Sequence, residues 1–134
     1  MGYLIDTCIW IEVERGRLSP ADIQSVTGPE EVFFSPVTIS ELQFGVEMTQ
    51  EPSIRQARQK SVDILKKKPL LKMDEETGAI HGRLGAGLRL AGRDGRYRIM
   101  DLWLAAQAIQ HNLVLLTKNT KDFEDIPGLT LASL

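Results

Sequence analysis

At 134 residues with 43% apolar content, the chain is long enough to form one domain around a core of its own. A net charge of -2 supplies no global pull toward nucleic acid. The single cysteine, Cys8, excludes an internal disulfide and suits a reducing, cytoplasmic setting. No basic leader precedes an apolar stretch at the start, and no apolar run approaches the roughly 20 residues of a membrane span, so neither secretion nor a membrane is expected.

In chain order, residues 3–6 read as a buried strand that ends on Asp6, and residues 7–14 as a helix broken by Gly16. Ser19-Pro20-Ala21-Asp22 opens a short helix with Ser as cap and Pro just inside it. Residues 32–35 form a second strand closed by Pro36. A helix is expected from about Thr38 to Met48, and after Pro52 a charged helix that runs to Lys68. Residues 70–73 suggest a third strand. Residues 75–91 read as a helix loosened by Gly82, Gly85 and Gly87, each costing roughly 1 kcal/mol against Ala. Residues 92–97 form a polar Arg/Gly loop, 99–110 a helix, 113–116 a fourth strand, and 129–131 a last short run. Strands alternating with helices predict a single α/β domain over 1–134 with a mostly parallel sheet.

The carboxylates fall at particular places on that scaffold. Asp6 ends the first strand, Glu41 lies early in the helix after the second, Asp101 lies in the first turn of the helix before the fourth, and Asn119 and Asp122 follow that strand. Parallel strands bring Asp6, Glu41 and Asn119 to one sheet edge, the edge where open α/β sheets bind ligands. The direction of the helix that Asp101 begins is left open. Clustered carboxylates repel, so they call for a cation or raised pKa values. An all-oxygen ligand set selects a hard ion, Mg²⁺ or Mn²⁺, and such ions serve phosphodiester hydrolysis.

Structural explanations compete at each position. Thr38-Ile39-Ser40-Glu41 reads equally well as a capping box. Asp101 favourably meets a helix dipole, and Asn119 and Asp122 have the spacing of a turn. Asp6 is hardest to explain this way, because a carboxylate directly after a buried strand needs partners, for which Thr7 is a candidate.

Taken in order, residues 4–10 (LIDTCIW), 35–45 (SPVTISELQFG), 99–106 (IMDLWLAA) and 115–123 (LLTKNTKDF), followed by Ile126-Pro127-Gly128-Leu129, resemble a PIN domain of the VapC toxin type. The resemblance spans nearly the whole chain. It implies a three-layer α/β/α sandwich and a Mg²⁺- or Mn²⁺-dependent endoribonuclease that cuts tRNA or rRNA. It further implies a homodimer and a cognate antitoxin whose C-terminal segment brings a basic side chain to the carboxylates. By position, Asp6 and Asp101 match the family's main metal carboxylates and Glu41 its acid that binds metal or positions water. Asn119 stands where the family often has a fourth acid. Its amide oxygen can ligate or hold a water but brings no charge, and Asp122 is placed to compensate. Thr7, Thr117 and Asp122 are supporting candidates. Cys8 replaces the family's usual Asn, a change expected to remove a supporting hydrogen bond.

RNA needs cations around an acidic pocket. The candidates are Arg93, Arg96 and Arg98, with Arg89 nearby, and Lys118 and Lys121 beside Asn119; Lys66, Lys67 and Lys68 read as solvated surface. His81 and His111 receive no catalytic role. Ile39, Leu42, Val46, Ile64 and Leu65 read as core or subunit interface. One rival is a catalytically inactive RNA- or protein-binding domain of the same fold, which Asn119 keeps open. A phosphatase is disfavoured by Cys8 where its second Asp belongs, and a receiver domain by the lack of its acidic pair.

Overall fold

The computed structural model describes residues 1–93 and 98–134. Its elements are β1 (Tyr3–Ile5), α1 (Thr7–Glu14), α2 (Pro20–Thr27), β2 (Val32–Phe33), α3 (Pro36–Glu47), α4 (Pro52–Leu65), α5 (Glu75–Leu90), α6 (Ile99–Gln110), β3 (Val114–Thr117), a 3-10 turn (Thr120–Asp122) and β4 (Thr130–Ser133). The four strands pair in the order β2-β1-β3-β4, all parallel.

Side chains alternate across a strand, and here the alternation builds two cores. Leu4 and Leu115 face one side, where they join Leu84 and Leu88 of α5 and Leu102 and Leu104 of α6. Ile5 and Leu116 face the other, with Ile9 and Trp10 of α1 and Leu65 of α4. The result is the expected α/β/α sandwich. On the second side, Trp10 packs edge-on against Phe34 with ring centroids 5.4 Å apart and donates Nε1–H to Ser61 at 3.0 Å, which ties α1 to α4. On the first, His81 of α5 stacks on Trp103 of α6 at 3.9 Å. None of the helices among the described residues is long and apolar enough to cross a membrane.

Two expectations change. Residues 70–73 do not form a strand: a single parallel bridge joins Leu70 to Phe34. Pro69 has no N–H to extend the ladder and Pro36 follows closely on β2, so only Phe34 N–H to the Pro69 carbonyl and Leu71 N–H to the Phe34 carbonyl are made, both at 2.9 Å. Secondly, α3 begins at Pro36 instead of Thr38, because Ser35 caps it by accepting the Val37 N–H at 3.0 Å with Pro at the first position. Thr38 is therefore a fully buried interior residue and Glu41 lies in the second turn. The capping-box explanation of Glu41 falls.

Inside α5, Gly82 and Gly87 are exposed, and a Cβ at either would meet no atom within 4 Å. Gly82→Ala and Gly87→Ala should each stabilise the fold by about 0.5–1 kcal/mol in urea unfolding. Unchanged or lowered stability would show that these glycines serve something other than the helix.

Candidate active site

The register of β1 on β3 sets Ile5 opposite Leu116, so the next residues along, Asp6 and Thr117, meet at the carboxyl edge of the sheet. The Asp6 N–H donates to the Leu116 carbonyl at 3.0 Å. The fully buried Thr117 hydroxyl donates to Asp6 Oδ2 at 2.7 Å, and its oxygen accepts the Asn119 N–H at 2.9 Å, which fixes the turn leaving β3. Asp6 stands at the cap position of α1 but makes no capping bond with its side chain. Oδ2 receives a second donor, the Cys8 thiol, at 3.3 Å. Burial first, and then the Asp6 charge, push the Cys8 pKa up, so the sulfur keeps its proton and donates. Cys8 thus keeps the supporting bond that the sequence suggested it would lose. Among the described residues nothing donates to Oδ1, which leaves that oxygen available to a ligand.

Thr7 serves a different acid from the one expected. Its hydroxyl donates to Glu41 Oε1 at 2.8 Å, and its oxygen lies 2.9 Å from the Thr38 hydroxyl. A hydroxyl has one proton to give, so with Thr7 donating to the carboxylate, Thr38 donates to Thr7. The relay Thr38 to Thr7 to Glu41 runs from the α3 interior to the site. Burial raises the Glu41 pKa, the Thr7 bond opposes this, and the Asp6 charge adds to it.

Asp101 occupies the first turn of α6. Its pKa is raised to about 6, first by burial and then by the charges of Asp6, Asp122 and Glu41, with Arg98 opposing. α6 therefore begins at the same edge, which settles its direction. Asp122, although exposed, acts on Asp101 more strongly than Glu41 does. Asn119 is exposed and makes no side-chain capping bond.

The expected basic rim is largely engaged within the protein. Arg98 forks onto Asp125 at 2.8 and 2.7 Å, Arg93 meets Asp125 at 2.8 Å, and Lys118 lies 3.4 Å from Glu12. Arg96 falls outside the described residues. Asp125 and the buried Thr38 were not singled out for the site in the sequence. Thr38 was hidden by the false capping box, and Asp125 carries no local signal, since its partners lie 27 and 32 positions upstream.

The donor set, by its chemistry, fits a hard cation. Asp6, Glu41, Asp101 and Asp122 offer only oxygen, and they repel one another with Arg98 as the one cation acting on Asp101 among the described residues. No three His, Cys, Asp or Glu side chains among the described residues converge tightly enough to cage an ion.

A carboxyl whose folded pKa lies above its ordinary 3.8 destabilises the fold when ionised and is relieved by protonation as pH falls through about 6. Asp101→Asn should therefore raise the melting temperature of metal-free protein at pH 8, and the gain should vanish by about pH 5. A gain that is independent of pH would contradict a raised Asp101 pKa in the folded protein.

The PIN domain family model matches residues 3–129. Ribonuclease VapC5 of Mycobacterium tuberculosis (strain ATCC 25618 / H37Rv) is 30% identical over 93% of this chain and 87% of its own. Ribonuclease VapC of Rickettsia bellii (strain RML369-C) is 27% identical over 100% of this chain and 97% of its own. Of solved structures, VapBC2 from Rickettsia felis bound to a DNA fragment from its promoter matches with a TM-score of 0.84 at 25% identity, covering 100% of this chain and 99% of that one. The sequence likeness runs through all the segments that carry Asp6, Glu41, Asp101 and Asn119, and the chain belongs to the PIN-domain family, in its VapC branch.

Proposed function

We propose that this protein is a ribonuclease toxin that hydrolyses a phosphodiester of structured RNA, tRNA or rRNA, with Mg²⁺ or Mn²⁺. The observation that carries the reading is the gathering of Asp6, Glu41, Asp101 and Asp122 from four separate segments at one sheet edge, where burial first and then the neighbouring acids raise the Asp101 pKa to about 6. Relatives named as ribonucleases over nearly their whole length support the same reaction.

Asp6 and Asp101 would hold the ion, with Asp122 adding negative charge beside Asp101. When bound, a divalent ion supplies the charge that phosphodiester hydrolysis requires at the attacking and leaving oxygens. Thr117 and Cys8 both donate to Asp6 Oδ2, so they orient that carboxylate with Oδ1 outward. Glu41 is held at Oε1 by Thr7, which leaves Oε2 to accept a proton from the attacking water. Its raised pKa brings it closer to the operating pH, as a general base requires. Asn119 offers a neutral oxygen at the same edge.

Purified protein incubated with total cellular RNA and Mg²⁺ or Mn²⁺ should produce discrete new 5′ ends. Asp6→Asn and Glu41→Gln should each slow cleavage by about 10²-fold or more. Cleavage that persists in both variants would refute the site. No cleavage with either ion would favour the inactive RNA- or protein-binding reading that Asn119 keeps open.

The proposal includes a homodimer and a regulatory partner, the antitoxin. A groove of about 770 Å³ lies between α1, α3 and α4, with apolar walls from Trp10, Leu42, Ile54 and Ile64 and with Glu41 in its lining. Ile54 is 48% and Ile64 53% exposed there. An amphipathic antitoxin segment fits this chemistry, because its apolar side can fill the groove while a basic side chain reaches the acids. The R. felis relative was crystallised as a VapBC assembly, which supports such a partner. Ile64→Glu should weaken antitoxin binding by about tenfold or more while RNA cleavage by the free toxin stays within about twofold of wild type. Unaltered binding would place the partner elsewhere.

A further inference from the structure

The segments that bear Asp101 and Asp122 are remote in sequence, and a side-chain clamp joins them. Arg98 immediately precedes α6, three residues before Asp101, and spends nothing on capping the helix. Its Nη1 donates to Asp125 Oδ2 at 2.8 Å and its Nη2 to Asp125 Oδ1 at 2.7 Å, while Nη2 also donates to the backbone carbonyl of Asp122. Both side chains are only 20% exposed. A two-pronged guanidinium-carboxylate pair fixes direction as well as distance, which a lysine cannot do. Arg93 places a second cation 2.8 Å from Asp125 Oδ2. The Arg98 bond foremost holds the Asp125 pKa down at about 2, so the anchor stays ionised at any working pH.

We propose that Arg98 is a positioning residue for catalysis and Asp125 its anchor. The fork holds the turn carrying Asp122 against the first turn of α6, fixing where Asp122 stands relative to Asp101, and brings one permanent cation to a cluster of acids. The catalytic consequence rests on the nuclease reading above; the mechanical one does not. Direct RNA contact is the competing role for Arg98, and the two roles demand opposite behaviour of Asp125. If Arg98 binds phosphate, neutralising Asp125 frees it and binding tightens. If Arg98 is a clamp, losing Asp125 slows cleavage as losing Arg98 does and does not tighten binding.

Arg98→Met, Arg98→Lys, Asp125→Asn and the Arg98→Met/Asp125→Asn pair test this. The clamp predicts that each lowers kcat for RNA cleavage by about ten- to a hundredfold, as small displacements of reacting groups do, with KM for RNA within about twofold. The double variant should be no worse than the worse single one, since both remove the same interaction. Amide hydrogen exchange at Asp122, Phe123 and Ile126, whose N–H groups bond the carbonyls of Asn119, Thr120 and Phe123, should speed up by about tenfold or more while β3 amides stay protected. A raised KM with intact kcat in Arg98→Met, together with normal activity and exchange in Asp125→Asn, would overturn the clamp in favour of RNA contact. Should wild-type protein cleave no RNA, the exchange result alone decides: faster local exchange upholds the clamp and unchanged exchange refutes it.

Discussion

Parallel pairing of β1 with β3 is the constraint from which the site follows. Both strands end at one edge, and their register makes Thr117 the neighbour of Asp6. A slip of one residue would turn Asp6 and Ile5 each to the opposite face and break both core layers, so the packing of Leu4 and Ile5 enforces the position of the acid. The helix that feeds β3 must start at the edge where β3 ends, and that brings Asp101 to Asp6. The two apolar layers, not any attraction among the acids, therefore hold the carboxylates together.

Such gathering has an electrostatic cost, and the chain answers it with donors of modest strength. Thr117 and the Cys8 thiol serve Asp6, Thr7 serves Glu41 with Thr38 behind it, and Arg98 partly offsets the field at Asp101. These contacts orient the acids without neutralising them. Asp101 keeps a pKa near 6, raised first by burial and then by the neighbouring acids. A site that is electrostatically incomplete by itself is suited to a cation, and equally to a partner that inserts a basic side chain, so activity and inhibition can draw on one property.

Much of this was legible in the sequence because strand ends, helix starts and acids coincide there. Asp6 stood out as a carboxylate after a buried run, and Asp101 as an acid in the first turn of a strongly apolar helix. Glu41 was placed correctly in space but one turn early in its helix. Ser35-Pro36 is the true helix start, and the pattern at Thr38 to Glu41 mimics one. Residues 70–73 had the composition of a strand but not its hydrogen bonds, since Pro69 limits the pairing to a bridge at Leu70. The engagement of Arg98 with Asp125 was out of reach, because an arginine near an acid looks the same in sequence whether it meets substrate or a distant aspartate.

The proposed function requires that Asp6, Glu41, Asp101 and the turn after β3 share one site for a hard divalent ion. Titration of Mn²⁺ into isotope-labelled protein, followed through paramagnetic broadening of backbone amide signals, tests it most directly. Broadening should centre on the amides around Asp6, Glu41, Asp101 and Asn119 to Asp122, and it should be lost in Asp6→Asn. Broadening centred elsewhere, or a pattern indifferent to that substitution, would contradict it.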